Sequence, residues 1–427
     1  MKFEIVEFLQ RYRQYLLYVV SFIVFFLSFQ SNFFKAAGPS FYVSLNDSES
    51  LVVLSILNAS SNQPSRGLGL YTSPLSIGDI YGAFSDKKSN IITLPYPSQF
   101  GLQGHLFSAL HRIFNFNDIQ YYRAINSFIL AGLLALIVSA VVFELGIFAA
   151  FGMVFSIVAS PWITIFAKNL YWMTWTWILP LVVVLLLYNP MVQRFLNQRR
   201  LIYFYAFAIF IKCLCGYEYV STVVIMSSIP LLYKAIRDNV SLKRLFVDGA
   251  LLFVVALVSF LAAVVLHSLV RADTPIHGFY DTFIRGSQMS TGFVASAVYP
   301  GLDKFVDMSA WSVLRNYVVN WGTPPVAFFT VSFPFIVALH VLAAVNLTTR
   351  TSRKSLALGV CFFYSALAPI SWFVLFKVHS AIHGHMNYVL WFSPFLVIGW
   401  MVLFFSLASN HNSEKDCFAQ SNKLGDL

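Results

Sequence analysis

The chain has 427 residues, of which 58% are hydrophobic and 11% are charged, and its formal net charge is +10. A soluble domain carries roughly 25% charged residues, so this composition excludes a soluble globular protein and predicts a polytopic membrane protein. The net charge does not indicate nucleic-acid binding, because the lysines and arginines cluster in short loops between apolar runs, as in membrane proteins generally.

Ten apolar runs predict an all-α polytopic membrane protein with about ten transmembrane helices. They form a single transmembrane domain over residues 1–408, which is followed by a polar cytoplasmic tail over residues 409–427. The fifth and sixth runs are either two spans or one broken helix, with Gly216 at the break. The predicted spans cover residues 14–30, 125–144, 147–166, 175–189, 201–217, 220–233, 246–270, 326–346, 356–377 and 388–408.

Basic residues between the runs predict that the N- and C-termini are cytoplasmic, because lysine and arginine are enriched on that side of a membrane. This orientation places two long connections outside, at about 31–124 and 271–325, and connections of that length usually carry function. The first contains SESLVVLSILNAS and GHLFSALHRIF, whose apolar periodicity predicts short amphipathic helices on the membrane surface. The predicted cytoplasmic set includes Arg194, Arg199, Arg200, Lys234, Arg237, Lys243, Arg244, Arg350, Arg353 and Lys354.

Two of the 18 acidic residues stand two positions apart just after the first span, in the stretch SLNDSES. On an extended segment the carboxylates of Asp47 and Glu49 would point to the same side, whereas on a helix they would diverge by about 200°. The adjacent Asn46 and Ser48 favour an extended segment or a turn. The alternative is a helix that begins near Glu49 and has Asp47 or Ser48 as its N-cap.

The stretch LPYPSQFGLQGH, residues 94–105, predicts a site for a hydroxyl-rich ligand. Its alternative role is to cap the helix that follows at 105–115. The next outer loop, AKNLYWMTWTW at 167–177, is either an interfacial aromatic belt or a platform on which a sugar ring stacks. The candidate ligand-binding side chains of the first stretch are Tyr96, Gln99, Gln103 and His105.

Two charged residues flank a glycine in the stretch IKCLCGYEY, residues 211–219. Lys212 lies about five residues inside the outer end of its predicted span, and a charge inside a membrane indicates function because its burial is costly. The alternative is that Lys212 extends outward and pairs with Glu218, which requires Gly216 to break the helix. We therefore include Lys212 and Glu218 among the candidate substrate-binding residues.

The remaining candidates lie in later outer segments. Arg271 and Arg285 belong to the second long connection, where an arginine near the membrane suits a lipid phosphate. The turn KVHSAIHGHMNYVLW adds a lysine and three histidines, which we expect to bind a phosphate or a sugar. His379 and His383 have the i, i+4 spacing of metal ligands, but no carboxylate is adjacent, so neither a metal nor another cofactor is predicted. The candidates in this turn are Lys377, His379, His383 and His385.

The chain resembles the GT-C class of multispanning glycosyltransferases in three features. It has an acid-x-acid motif after the first span, about ten spans, and aromatic and basic residues on the outer face. The motif of that class corresponds here to Asp47-Ser48-Glu49. The stretches YPSQFGLQG, KCLCGYEY and HSAIHGHMNYVLW also look like those of bacterial membrane proteins of surface-polysaccharide type. The resemblance implies an integral protein of the bacterial inner membrane.

The resemblance also implies a mechanism. The donor would be a sugar on a polyprenyl phosphate, and the acceptor would be a glycan or glycolipid on the outer face of the membrane. Asp47 would act as general base, Glu49 would position the acceptor or a supporting partner, and basic groups would stabilise the departing lipid phosphate. No nucleotide is implied, and the chain has no glycine-rich phosphate loop.

Two other functions remain open. A polysaccharide polymerase or flippase-like transporter would carry charges deep within several spans, and only Lys212 meets that description. A membrane acyltransferase would need a histidine within or just after an early span, and the first two predicted spans contain none.

Overall fold

The computed structural model describes residues 2–39, 45–58, 67–86, 91–188, 193, 196–290, 303–320, 327, 331–384 and 386–409. The predicted all-α class is confirmed for these residues, in which the only sheet is an antiparallel pairing of Tyr71–Thr72 with Leu94–Pro95. The predicted tail beyond Ser409 and the candidate His385 lie outside the described residues.

The helices of the first half are numbered in chain order. They are α1 (Lys2–Ser31), α2 (Asn46–Asn58), α3 (Ile77–Ser85), α4 (Leu102–Phe114), α5 (Ile119–Leu145), α6 (Ile147–Val158), α7 (Pro161–Lys168), α8 (Trp175–Leu187), α9 (Gln198–Cys215) and α10 (Val220–Arg237). Those of the second half are α11 (Leu242–Arg271), α12 (Pro275–Ser290), α13 (Asp303–Val306), α14 (Ala310–Arg315), α15 (Phe333–Thr348), α16 (Arg353–Ser365), α17 (Leu367–Leu375), α18 (Lys377–Ile382) and α19 (Trp391–Ser409).

In the part of the chain that the structure describes, five helical segments are long and apolar enough to span a membrane. They are α5, α10, α11, the consecutive α16 and α17, and α19. A sixth is obtained when α6 and α7 are taken together, although the chain bends by 71° between them, where Pro161 begins α7. The described residues therefore contain five or six such segments, fewer than the ten spans predicted.

The other predicted spans are helices that are too short or too charged. The apolar part of α1 begins only at Tyr15, α8 has 13 residues and α15 has 16, whereas a span needs about 20. Helix α9 has 18 residues but carries Arg199, Arg200 and Lys212. The apolar runs therefore predicted correctly where helices occur, but they did not predict how long each helix is.

Helices α9 and α10 form an antiparallel pair around Gly216. The hydroxyl groups of Tyr205 and Ser227 lie 3.0 Å apart, and each residue is eleven positions from Gly216. In one continuous helix these residues would be about 33 Å apart. The alternative of a single broken helix is therefore wrong, and the two runs are separate helices between which the chain reverses direction.

Helix α5 defines two ends of the helical bundle. In its first two turns Arg123 binds Glu49, and in its last turn Glu144 binds Arg237 and Lys354. We call these the Glu49 end and the Glu144 end. The predicted outer segments near 94–105 and 167–177 gather at the Glu49 end, whereas Arg237 and Lys354, both predicted to be cytoplasmic, lie at the Glu144 end.

Helix α2 is a core helix and not a surface helix as predicted. Val52, Val53 and Ile56 are fully buried, and α2 packs against α4. Gly104 in α4 permits this packing, since a Cβ there would lie 1.8 Å from the carbonyl oxygen of Gly69 and 2.9 Å from Oγ of Ser55 in α2. This packing fixes the first long connection against the Glu49 end.

Candidate functional site

Both acidic residues of the predicted motif lie in the first turn of α2. The extended form was therefore wrong. The segment is helical, but the helix begins at Asn46, so neither Asp47 nor Ser48 is its N-cap. Because the two side chains diverge on a helix, their environments differ: Asp47 is exposed, whereas Glu49 is 1% exposed. The Oδ1 atom of Asp47 accepts a hydrogen bond of 2.7 Å from the backbone N–H of Ser48.

Four donors surround the buried Glu49 carboxylate. Arg123 donates from Nε to Oε1 at 3.1 Å and from Nη2 to Oε2, so the pairing is bidentate. The hydroxyl of Tyr81 donates to Oε2 at 2.7 Å, and the backbone N–H of Leu170 donates to Oε1 at 3.2 Å. Burial and the adjacent Glu49 carboxylate raise the pKa of Tyr81 above its ordinary value, so this hydroxyl remains a donor.

A cavity of about 240 Å³ lies beside this carboxylate. Arg123 and Lys168 give its wall two positive charges against the single negative charge of Glu49, which leaves a net charge of +1. Such a wall favours an anionic ligand, and arginine is well suited to a phosphate. The residues that line the cavity are Leu45, Asn46, Glu49, Arg123, Ile165, Lys168 and Asn169.

Two asparagines hold the loop that follows Lys168. Asn169 donates to the Leu45 carbonyl at 3.2 Å and accepts from the backbone N–H groups of Tyr171 and Trp172 at 3.0 and 3.2 Å. Asn126 in turn donates to the carbonyl of Asn169 at 2.9 Å. The loop wall of the cavity is therefore fixed by hydrogen bonds to both α2 and α5.

Two of the three tryptophans in the stretch 167–177 are core residues, and the third, Trp175, is half-buried. Trp172 and Trp177 are 6% and 5% exposed, and both contact the ring of Tyr219, with centroid distances of 5.4 and 5.0 Å. Trp172 and Trp177 are therefore enclosed in protein and can form neither a lipid-facing belt nor a sugar platform, and both predictions for this stretch stay open at Trp175.

A second polar network adjoins the loop. The hydroxyl of Tyr171 lies 3.3 Å from Oε1 of Gln99 and 3.3 Å from Oε1 of Glu218. Gln103 donates to the carbonyls of Tyr171 and Cys215 at 3.2 and 2.8 Å. Nε2 of Gln99 and Oε1 of Gln103 are buried without a hydrogen-bond partner among the described residues. Burial of unpaired amide atoms is costly, so these two atoms are suited to bind a polar ligand or water.

The ammonium of Lys212 is bonded to a backbone carbonyl close to Glu218, a member of the same network. Lys212 is 2% exposed, and its ammonium donates to the carbonyl of Gly216 at 2.6 Å. The predicted ion pair with Glu218 does not form between these two described residues. The Glu218 carboxylate instead lies over Gly216, where a Cβ would be 2.3 Å from its Oε2 and where φ is +154°. Glycine at this position is therefore favoured by the backbone conformation, and a larger residue would also displace the Glu218 carboxylate.

A histidine that the sequence prediction missed ties the 94–105 segment to α11. His267 is fully buried, its Nε2 lies 3.2 Å from the carbonyl of Pro97, and its Nδ1 lies 3.0 Å from the hydroxyl of Tyr217. Arg271, at the end of α11, is close enough to act electrostatically on Tyr217. Arg271 therefore lies near Tyr217, where α11 meets the 94–105 segment, and its role in substrate binding stays a prediction.

The candidates of the last turn form a separate group. The rings of His379 and His383 have centroids 4.5 Å apart, and Nδ1 of His379 is buried without a partner in the described chain. Burial, and then the neighbouring His383 and Arg285, hold the pKa of His379 well below its ordinary value. Lys377 donates to the carbonyls of Val306 and Met308 at 2.8 and 3.1 Å, so it holds α13 in place. No cluster of three potential metal ligands occurs among the described residues.

Two further candidates stabilise the loop backbone. The ring of His105 bonds through Nε2 to the carbonyl of Gly67 at 3.0 Å, and the backbone N–H of Tyr96 donates to the carbonyl of Leu70 at 2.8 Å. The residues that sequence reasoning missed are Arg123, Tyr81, Asn126, Asn169, Tyr171 and His267. Only Arg123 had a local signal, since it is a charge within the first turns of a long apolar helix.

Comparisons of the chain with family models, with curated proteins and with solved structures give no match. The resemblance to the GT-C class therefore stays a hypothesis based on the overall architecture and on Asp47-Ser48-Glu49.

Proposed function

We propose that the protein is an inverting glycosyltransferase of the GT-C type. It would transfer a sugar from a polyprenyl-phosphate carrier to an acceptor glycan or glycolipid on the outer face of the membrane. The observation that carries this proposal is the cavity beside Glu49, in which a buried, fully bonded carboxylate holds an arginine next to a lysine at one end of an apolar helical bundle.

The cavity supports a role in binding the carrier phosphate. Arg123 and Lys168 provide two positive charges where the lipid phosphate would lose its sugar, and such charges stabilise a developing phosphate anion. Both oxygens of Glu49 are already bonded to protein donors, so they are not free to contact the acceptor hydroxyl. Its role in the proposal is to orient the Arg123 guanidinium, which agrees with the supporting role predicted for the second acid.

Asp47 is the proposed general base. Its side chain is exposed, and it directly follows Asn46, which lines the cavity. In the proposed reaction the acceptor hydroxyl gives its proton to the Asp47 carboxylate while its oxygen forms a bond to the anomeric carbon. The bond from that carbon to the carrier phosphate breaks with inversion, and the carrier leaves as the polyprenyl phosphate.

The Gln99 network lies inside the protein, with Gln99 and Gln103 1% and 0% exposed. Gln99 and Gln103 each have one unpaired buried amide atom, and Tyr171 and Glu218 lie within the same network. Its role in the proposal is to hold the 94–105 segment against the loop that follows Lys168, and water suits the two unpaired atoms.

The decisive experiment compares Asp47→Asn with the parental protein, purified in detergent and supplied with a synthetic polyprenyl-phosphate sugar and a glycan acceptor. Asparagine retains the local hydrogen bond but cannot take a proton, so turnover should fall about 100-fold or more. Asp86→Asn, at another exposed acid of the first long connection, is the matched control and should retain the parental rate.

An Asp47→Asn protein that folds and transfers sugar at the parental rate would exclude Asp47 from the reaction. Movement of the lipid-linked sugar across reconstituted vesicles by the parental protein, without any transfer, would favour the flippase-like transporter instead.

A further inference from the structure

A second cavity, of about 320 Å³, lies at the Glu144 end of the bundle. It is enclosed where α8 and α10 end and where α11 begins. Lys234 lines the cavity one helical turn before Arg237, the residue that binds Glu144. The cavity is therefore at the opposite end from the proposed catalytic cavity, and what it binds does not depend on the proposed function.

The charged residues of this cavity favour a singly charged anion. The ammonium of Lys234 lies 5.0 Å from the ring centroid of Tyr188. Arg244 donates from Nε to both oxygens of Asp248, at 3.2 and 3.0 Å, and its side chain remains 63% exposed. Two cations and one carboxylate leave a net charge of +1, which matches the single charge of a phosphodiester.

The rest of the lining is mostly apolar and continues onto a lipid-facing surface. Leu187, Leu231 and Leu245 are part of the cavity wall. Beside them α11 exposes large apolar side chains, among them Phe246 at 77% and Phe253 at 59%. Only 22% of the 18-residue apolar stretch of α11 is buried. This share is the smallest among the described helices that are long enough to span a membrane. A ligand of this cavity would therefore have a charged head and apolar chains.

We propose that this cavity binds one anionic phospholipid. Its phosphodiester lies between Lys234 and Arg244, and its acyl chains run along the exposed face of α11. Basic pockets between membrane helices are known to take up anionic lipid headgroups, and each nearby lysine or arginine strengthens such binding. Inorganic phosphate fits less well, because it has no apolar part to fill the cavity and carries close to two charges at neutral pH.

The test measures lipid binding by native mass spectrometry of the full-length protein in detergent. Phosphatidylglycerol is titrated against phosphatidylcholine of the same chain length, and phosphatidylglycerol should be retained preferentially. Lys234→Gln and Arg244→Gln should each weaken its binding about fivefold, and the double variant about 30-fold. Lys243→Gln is the matched control, because it removes the same charge from an exposed position outside the cavity.

A further variant should act in the opposite direction. Asp248→Asn removes the only negative charge from the lining, so it should tighten phosphatidylglycerol binding, a result that misfolding cannot produce. Equal binding of the two lipids would overturn the proposal, as would equal effects of Lys243→Gln and Lys234→Gln. Displacement of the lipid by millimolar inorganic phosphate would identify a soluble anion as the ligand and would also overturn it.

Discussion

Arg123 and Glu49 form a bidentate ion pair although they are 74 positions apart in the chain. The pair joins the first turn of α2 to the start of α5 and is largely enclosed, with 16% of the arginine side chain and 1% of the glutamate side chain exposed. A pair in this environment is expensive to break, because removal of one partner leaves the other charge buried without compensation.

Glu49→Gln should therefore destabilise the protein strongly. The expected loss is about 3–5 kcal/mol of unfolding free energy, the range for breaking a buried ion pair. The free energy of unfolding in mixed micelles, measured by titration with a denaturing detergent, provides the comparison with the parental protein.

Asp47→Asn is the control for that measurement, since Asp47 is two residues away but exposed. Its effect on the unfolding free energy should stay within about 0.5 kcal/mol. Equal effects of the two substitutions would show that the Arg123–Glu49 pair does not stabilise the fold.

The two helical glycines Gly82 and Gly104 should respond to alanine in opposite directions. At Gly104 a Cβ would lie 1.8 Å from a backbone oxygen, so Gly104→Ala should cost about 1–3 kcal/mol or more through overpacking. At Gly82 nothing lies within 4 Å of the new Cβ, and Gly82→Ala should stabilise α3 by about 0.5–1 kcal/mol. Thermal unfolding of both variants in detergent tests this, and a stable Gly104→Ala protein would contradict the close packing of α4.

Stability should fall as the pH is lowered below about 6.5, in part because of His379. Its pKa is held well below the ordinary value by burial, His383 and Arg285. Below the ordinary histidine pKa of about 6.5, this histidine binds a proton in the unfolded chain but stays neutral in the folded protein. The difference in proton binding lowers the free energy of unfolding by at most about 1.4 kcal/mol for each pH unit. Above that pH both states are neutral at this residue, and it makes no pH-dependent contribution.

Unfolding free energies measured between pH 7 and pH 5 test this expectation. His379→Gln should have a shallower pH dependence than the parental protein. His277→Gln, which changes an exposed histidine, should retain the parental slope. If His379→Gln retains that slope too, His379 is not kept neutral by its surroundings.

The orientation of the bundle is predicted by its basic residues, with the Glu49 end outside. In a Cys417→Ser background, a membrane-impermeant maleimide should label Ser85→Cys in intact cells and Ser352→Cys only after permeabilisation. Both positions are exposed, whereas Cys213, Cys215 and Cys361 are buried and should not react. The reverse labelling pattern would invert the predicted topology.

Local sequence pattern predicted the helical class well because apolar runs determine helices in a membrane-like chain. It did not predict the number of spans, since apolarity does not reveal the bend between α6 and α7, the early end of α8 at Leu187 or the late start of α15 at Phe333. The break at Gly216 was identified because a glycine between two apolar runs is a local signal.

The candidate site was predicted less completely, because its bonds join distant parts of the chain. Glu49 was selected from its neighbours in sequence, yet its partners Arg123 and Leu170 are 74 and 121 positions away. No local pattern encodes such pairs. The candidates Lys212 and Lys377 were chosen as charges at a membrane surface, and their bonds to backbone carbonyls became visible only in the fold.

Helix α5 is held by charged contacts at both of its ends, through Arg123 and through Glu144. These residues are 21 positions apart, which corresponds to about 32 Å along a helix and is close to the hydrocarbon thickness of a typical bilayer, about 30 Å. These pairs oppose tilting or sliding of α5 relative to its partner helices in a thinner or thicker membrane. Adaptation to bilayer thickness is therefore expected first in α11, the least buried of the membrane-length helices described, and the lipid composition around the protein should alter that helix first.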